Sequence, residues 1–333
     1  NMNNFKKIGM TALAASLVTT SAFAGELAVS GSASIKSAHT STALGANTGK
    51  AFSMGNSVTF TGGGELDNGL NVSVSFELDQ GAANNAAVTA SGVVAVNTGA
   101  VFDSHSVTVS SDMMGSLTFA GHGGDSAQSA VKDMTGKIWD YQGTSQGSVA
   151  SSASNNMFLY TLPEVLDGVK LTASYVPKGA AATQWASATD VAIAYTGVEG
   201  LTVGYALGEK NATEATVGDV DTWYAKYAYG PVTVAYTETE FASKADASDR
   251  EFEAMSVAYA VSENISVSYG TSENTQNTTA ASSTNQPEEV SGITASYTMG
   301  GMTLSGAMID IKNQGFVSGT KEEAWELALA FAF

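Results

Sequence analysis

The sequence predicts an all-β fold, an antiparallel β-barrel of about sixteen strands that is closed and spans a membrane. Three observations support this prediction. Apolar residues alternate with small or polar ones in segment after segment, short turn clusters alternate with long polar loops, and only 14% of residues are charged whereas glycine occurs 35 times. Together they favour a barrel in lipid over a soluble all-β domain.

The alternation puts large apolar side chains on one face of each predicted strand. In segment 201–207 the odd positions are Leu, Val, Tyr and Leu, while the even positions are Thr, Gly and Ala. A soluble sandwich would carry Lys, Glu and Arg on its outer face. Small polar residues instead suit a wet interior, and the bulky face suits hydrocarbon. Closure follows, because an open sheet edge would leave backbone groups without partners in lipid. The same pattern occurs at 70–78, 255–261 and 265–269.

Turn-forming residues divide the chain at regular intervals. Short turns rich in Gly, Asn, Asp or Pro are predicted near 67–69, 111–115, 165–168, 197–200, 230–231, 262–264 and 300–301. Long loops rich in Ser, Thr, Asn and Ala are predicted at 38–51, 79–101, 122–155, 178–188, 208–219, 241–250, 271–289 and 311–321. These connections join about sixteen antiparallel strands, so both ends of the chain are expected on the short-turn side.

Residues 1–24 have the pattern of a secretory signal peptide. Lys6 and Lys7 precede an uncharged apolar stretch, 8–20, and Ala22-Phe23-Ala24 has small residues where a signal peptidase cleaves. The stretch is too short to cross a bilayer as a helix, so we expect cleavage after Ala24 and a barrel domain at 25–333. The alternative is an N-terminal anchor that is retained.

The last strand is the most specific single feature. Large apolar residues alternate with Ala and Glu up to Phe333, which predicts a lipid-facing stripe that closes the barrel against a first strand around Leu27, Val29 and Ile35. Most soluble proteins end in a frayed polar tail instead. The stripe consists of Trp325, Leu327, Leu329, Phe331 and Phe333.

Charge and cysteine content exclude several classes of function. Removing residues 1–24 lowers the 14 basic side chains to 12 against 32 acidic ones, for a formal net charge of −20. Such a protein repels nucleic acid. There is no cysteine, so no disulfide holds the fold.

At these residues the chain resembles the general porins of Gram-negative bacteria, most of all the sixteen-stranded trimeric type of proteobacteria. The resemblance rests on the Phe333 stripe, on the loop order, and on Tyr160-Thr161-Leu162-Pro163 leading through 166–169 into 171–175. It implies an outer-membrane homotrimer that passes ions and small hydrophilic solutes by diffusion. It also implies that the β-barrel assembly machinery recognises Phe333.

The third long loop, 122–155, is the candidate pore constriction. In porins this loop folds into the barrel and narrows it, and charges at the narrowest point determine ion preference. The alternative is a solvated surface loop. The resemblance makes Asp125, Lys132, Asp133, Lys137 and Asp140 the candidate constriction residues, with Trp139 and Tyr141 as packing groups.

Few charges are predicted to face the lumen. General porins oppose the acidic loop with several wall arginines, whereas this chain has a single arginine, Arg250, at a predicted loop end. With the net charge of −20 we therefore expect cation preference. The alternation assigns to the lumen Lys36, Glu77, Lys170, Lys226 and Glu326.

The pattern indicates no catalytic, metal or cofactor site. Acid pairs such as Asp219 with Asp221 and Glu238 with Glu240 match no known metal-binding spacing, and they suit loops that face the cation-bridged lipopolysaccharide of an outer membrane. An enzyme barrel is disfavoured because Ser104 and Ser106 point to the opposite face from His105. A non-conducting structural or adhesive barrel is the main alternative.

Overall fold

The computed structural model describes residues 27–40, 51–79, 102–136, 147–152, 155–178, 186–211, 217–244, 249–277 and 286–333. The predicted signal peptide, residues 1–24, lies outside these ranges, and its cleavage stays a prediction. In the described part of the chain, no helix is long and apolar enough to cross a membrane.

Sixteen antiparallel strands close into a single barrel in which each strand pairs with its neighbours along the chain and β1 pairs with β16. The predicted fold class is confirmed. The strands are β1 Ala28–Thr40, β2 Ala51–Glu65, β3 Asn71–Asp79, β4 Ser104–Ser111, β5 Gly115–His122, β6 Met157–Thr161, β7 Val169–Val176, β8 Ala188–Val198, β9 Leu201–Lys210, β10 Gly218–Tyr229, β11 Val232–Ser243, β12 Asp249–Ala260, β13 Ile265–Asn277, β14 Glu288–Met299, β15 Met302–Lys312 and β16 Lys321–Ala332.

The order of short and long connections follows the prediction, but the strands extend further into the predicted loops. The seven short turns lie where the Gly, Asn, Asp and Pro clusters were found, and the eight long connections alternate with them. The predicted loop 271–289 shrinks, because β13 continues to Asn277 and pairs there with β12. Ladder hydrogen bonds need only backbone groups, so polar residues continue the strand beyond its apolar part.

The seam between β1 and β16 closes the barrel, and it joins the two strands that were predicted to meet. Ile35 lies opposite Leu329, and His39 lies opposite Trp325. The seam ends in a reciprocal pair of backbone hydrogen bonds, in which the Gly31 amide donates to the Phe333 carbonyl at 2.7 Å and the Phe333 amide donates back at 3.0 Å. No open edge is therefore left between the first and last strands.

The pleat gives the wall two chemically different faces. The outer face carries exposed apolar and aromatic side chains, among them Ile193, Trp223, Val257 and Tyr269. The residues between them point inward and are small or polar, as in the Ser-Ser and Thr-Thr hydrogen bonds that link neighbouring strands. Bulky apolar groups outside and small polar groups inside are the arrangement that a barrel needs in lipid.

Above the apolar zone, the long-loop ends of β9 to β16 carry a row of outward-facing carboxylates, which we call the outer acidic rim. Opposed pairs in the ladder place them on one face, as where Glu238 lies opposite Glu253 and Glu240 opposite Glu251. Much of the chain's negative charge thus lies outside the barrel wall. The rim consists of Glu209, Asp219, Asp221, Glu238, Glu240, Glu251, Glu253, Glu273, Glu289, Asp310 and Glu323.

Gly168, in the turn between β6 and β7, allows a test of how closely adjacent turns pack. Its φ is +74°, and an added Cβ would lie 2.5 Å from the Gly197 amide nitrogen, next to the last residue of β8. We expect Gly168→Ala to destabilise the barrel by more than the ~1 kcal/mol that the left-handed conformation alone costs. The measurement is the temperature at which the folded form is lost on semi-native electrophoresis.

Gly69 provides the matched control, because its φ is +80° but an added Cβ would have no heavy atom within 4 Å. Gly69→Ala should therefore show the conformational cost alone. Equal losses in the two variants would show that contact with Gly197 does not contribute.

Candidate functional site

The connection between β5 and β6, residues 123–156, is called here the inner loop, and its described parts, 123–136, 147–152 and 155–156, lie against the inner face of the barrel. Its described parts contact inward-pointing side chains from β7 to β13. The Ala127 amide donates to Ser174 Oγ at 3.0 Å, the Met134 amide donates to Thr237 Oγ1 at 3.0 Å, and Asn274 Nδ2 donates to the Gly147 carbonyl at 3.1 Å. These strands follow β6 around the barrel, so the loop runs along the inner face of the wall from β7 to β13.

Asp190, on the inner face of β8, is the central acceptor for the loop. Its side chain is 2% exposed, and Oδ2 accepts from Ser151 Oγ at 2.5 Å and from the Gln128 amide at 3.3 Å. Oδ1 accepts from the Glu209 amide at 3.2 Å. A buried carboxylate is tolerated only when donors compensate for its lost hydration. This one is compensated by both halves of the loop.

Gln128, fully buried, forms the second connection between loop and wall. Its side chain donates to Thr222 Oγ1 at 2.8 Å and to the Val149 carbonyl at 3.2 Å, and it accepts from the Ser151 amide at 2.7 Å. Thr222 in turn is hydrogen-bonded to Thr239 at 2.8 Å. The network joins the first part of the loop, around Gln128, to the returning part, around Val149 and Ser151. It also joins both parts to β10 and β11.

An apolar contact adds to this network. Val149 of the returning part packs with Val220 of β10 and Phe241 of β11, all of them buried. Removing such side chains from water stabilises the docked loop by about 1.5–3 kcal/mol for each large group. The loop is therefore held by packing as well as by hydrogen bonds.

Three of the five candidate constriction residues lie in the described part of the loop. Asp125 is exposed and accepts from Ser129 Oγ at 3.3 Å, while Asp133 Oδ1 accepts from the amide and hydroxyl of Thr135 at 3.1 and 3.0 Å. The Lys132 carbonyl accepts from Thr239 Oγ1 at 3.2 Å. Lys137 and Asp140, with Trp139 and Tyr141, lie outside the described residues.

The five wall charges all alternate with outward apolar residues and so point inward, but they do not form one group. Lys36 pairs with Glu326 across the β1–β16 seam at 3.2 Å, and Glu77 accepts from Ser104 Oγ at 2.9 Å. Lys170 and Lys226 are exposed and lie near the short-turn ends of β7 and β10.

A basic group that the sequence pattern did not indicate lies at the long-loop end of the lumen. Lys210, the last residue of β9, lies within electrostatic range of Arg250 and of Lys132 of the inner loop. Its Nζ lies 5.6 Å from the centre of the Phe241 ring. Lys132, Lys210 and Arg250 are far apart in sequence, and the pairing of β9 to β12 with the inner loop docked on these strands brings them near one another. The sequence could have indicated Asp190, because it is a lone acid on an otherwise apolar strand. No feature of the sequence indicated that Gln128 would anchor the loop.

The acid pairs noted in the sequence face outward. Carboxylate oxygens of Glu238, Glu240 and Glu251 lie within 4.8 Å of one another, the one such group among the described residues. Exposed acidic groups of this kind are common without an ion, and we assign no metal site.

Comparisons with known proteins agree with this geometry. A family model described as Gram-negative porin matches residues 9–286. An anion-selective porin from Comamonas acidovorans aligns with a TM-score of 0.70 at 13% identity over 92% of this chain and 99% of that one. OmpF of Salmonella typhi, in a complex with daunomycin, aligns with a TM-score of 0.66 at 14% identity over 93% of this chain and 98% of that one. No curated protein matches.

A sixteen-stranded closed barrel with a loop bound inside it defines a membrane channel protein of the outer-membrane type. The family match extends over most of the sequence, and the chain belongs to the Gram-negative porins. It is a bacterial outer-membrane protein, and the long connections lie on the extracellular side.

Asp190→Ala tests whether this carboxylate anchors the inner loop. Loss of the acceptor removes the partner of the Gln128 backbone amide and the bond that ties the Ser151 hydroxyl to the wall, which leaves that hydroxyl bonded to Ser126 of the same loop. Docking should weaken by about 1–3 kcal/mol. We expect faster proteolytic cleavage within 123–156 in the folded barrel, together with noisier single-channel current.

Asp125→Ala is the matched control in the same loop, because that exposed carboxylate accepts one long hydrogen bond from Ser129. It should leave the cleavage rate near that of the wild type. If Asp190→Ala were cleaved no faster than the control, the anchoring role would be wrong.

Proposed function

We propose that the protein is a water-filled channel for passive diffusion of ions and small hydrophilic solutes across the outer membrane, with its aperture set by the inner loop. The carrying observation is the hydrogen-bonded attachment of that loop to the inner wall from β7 to β13. A loop fixed in this way narrows the lumen without a moving part. The proposed transport needs no catalytic residue and no cofactor.

Single-channel recording of the refolded protein in a planar bilayer tests this proposal. Stepwise ohmic conductance is the expected result. A correctly folded barrel that gives no conductance would overturn it and would favour the non-conducting structural barrel.

The cation preference expected from net charge loses its basis in this fold. The outer acidic rim lies outside the wall, where solvent and salt screen it from the pore. Inside, Asp190 is buried and hydrogen-bonded, and Glu326 is paired with Lys36. The structural neighbour from Comamonas is itself described as anion-selective. We propose instead a weakly selective pore in which Lys132, Lys210 and Arg250 offset the lumen acids.

Reversal potentials in a salt gradient test the selectivity proposal. Lys132→Glu reverses a charge on the inner loop and should move the permeability ratio toward cations by about twofold, because low-dielectric walls focus the field of lumen charges. Glu240→Lys makes a charge change of the same size on the outer wall and should leave the ratio unchanged. Equal effects of the two variants on the permeability ratio would contradict the selectivity proposal, as would strong cation selectivity in the wild type.

We further propose a homotrimer whose outer acidic rim meets cation-bridged lipopolysaccharide. The outward positions of the described strands β1 to β8 carry no carboxylate, and the small residues Gly31, Ala33 and Gly62 lie there, which suits protomer contacts. Native mass measurement after gentle extraction should find three chains with bound lipopolysaccharide, and a bare monomer would contradict this.

Phe333 is proposed as the signal for the assembly machinery, since it extends the outward stripe of β16. Deletion of Phe333 should reduce insertion into the outer membrane. Normal amounts of inserted protein from that variant would contradict the proposal.

A further inference from the structure

A second segment folds inward at the extracellular mouth. Residues 313–320, called here the rim segment, join β15 to β16 and include the short 3₁₀ helix Gln314–Phe316. The segment is braced internally, because the Asn313 amide donates to the Thr320 carbonyl at 2.8 Å and the Gly319 amide donates to Asn313 Oδ1 at 3.1 Å. It is therefore a compact unit that can pack as one body.

The rim segment follows β15 in the chain but is attached to β14, the strand on the far side of β15. The Gly315 amide donates to Glu288 Oε2 at 2.6 Å, and Asn313 Nδ2 donates to the Pro287 carbonyl at 2.9 Å. Glu288 is 1% exposed and points inward, because its neighbour Glu289 belongs to the outer acidic rim. The attachment therefore lies on the lumen side of the wall.

The segment also reaches β12. The Phe316 ring is 7% exposed and lies under the guanidinium of Arg250, whose Cζ is 5.5 Å from the ring centre. Arg250 is the second residue of β12, and its ladder partner is Phe241 on the inner face of β11. The rim segment therefore extends from the β15–β16 hairpin across β14 and β13 to β12.

The backbone of Phe316 has an unfavourable conformation in this position. Its φ is +65°, and Asn313 and Gly315 are also left-handed, with φ of 52° and 65°. A left-handed conformation costs a bulky residue about 1–3 kcal/mol and persists only where the surroundings hold it. The contacts with Arg250 and Glu288 are the surroundings that hold Phe316 inward.

The two inward segments meet on the same wall. Phe241 packs against Val149 of the inner loop on one side and is paired with Arg250, the support of Phe316, on the other. The inner loop covers the wall from β7 to β11 and reaches β13 through Asn274, and the rim segment covers β12 to β14. Together they line one continuous arc of the mouth.

We propose that the rim segment is a second pore-narrowing element at the extracellular mouth. The buried Phe316 ring under Arg250 and the Gly315–Glu288 hydrogen bond hold the segment inward. The inference rests on the proposed channel function. The single arginine of the chain thereby has a positioning role, since its contact with the buried Phe316 ring helps to hold the rim segment at the mouth. The size limit for solutes then depends on two loops.

Phe316→Ala is the test, with conductance and the rate of sugar-driven swelling of proteoliposomes as measurements. Loss of this buried anchor should release the rim segment from its inward position. Single-channel conductance should then rise by up to about twofold and larger sugars should enter, because the mouth and the inner loop narrow the pore in series. Val317→Ala is the matched control. Val317 is the next residue, is 42% exposed, and should leave both measurements at the wild-type level.

Glu288→Ala provides a second, independent disruption, since it removes the acceptor of the Gly315 amide, and it decides the question if Phe316→Ala does not fold. Folded variants with wild-type conductance and sugar cut-off would overturn the inference while leaving the channel proposal intact. Conductance in Phe316→Ala but not in the wild type would support the inference and overturn the open-channel proposal. The absence of conductance in both the wild type and Phe316→Ala would overturn both the inference and the channel proposal.

Discussion

The structure depends on one constraint, the pairing of every backbone amide and carbonyl within the bilayer. Lipid offers these groups no partner, and an unpaired one costs several kcal/mol, so a sheet in hydrocarbon must close on itself. Closure here is completed by β1 and β16, down to the reciprocal hydrogen bonds between Gly31 and Phe333. The other features of the molecule follow from this ring. It creates an outside that must be apolar and an inside that is free to be polar.

The enclosed interior makes the inner loop possible. Asp190 and Gln128 are buried in a small polar network, and such a network is stable only where each member has a partner. A closed wall presents side chains from β7 to β13 to one loop at the same time, which no open sheet edge could do. The same wall presents Glu288 and Arg250 to the rim segment. Both inward segments are thus consequences of curvature as much as of their own sequences.

The placement of the acidic side chains could be predicted from the sequence only in part. The expectation of cation preference rested on the net charge of −20 predicted for residues 25–333, and it assumed that the acids lie near the pore. Glu240 and Glu251 instead lie on strands, where the pleat turns them outward. The predicted loops 241–250 and 271–289 were too long, so the acids at their edges were taken as loop residues without a defined side. Once β11 to β13 extend to Ser243, Asp249 and Asn277, the ladder gives every one of these side chains a direction.

By itself the sequence determined the strand number, the order of short and long connections, the closing strands and the inward direction of residues such as Lys36 and Glu77. Each of these follows from local rules, the two-residue period of a strand and the turn chemistry of Gly, Asn, Asp and Pro. Only the tertiary structure decided which residues anchor the inner loop, that Lys132, Lys210 and Arg250 approach one another, and that Phe316 lies under Arg250. These contacts join residues distant in sequence, and their partners are selected by the closure and curvature of the barrel, which no local pattern encodes.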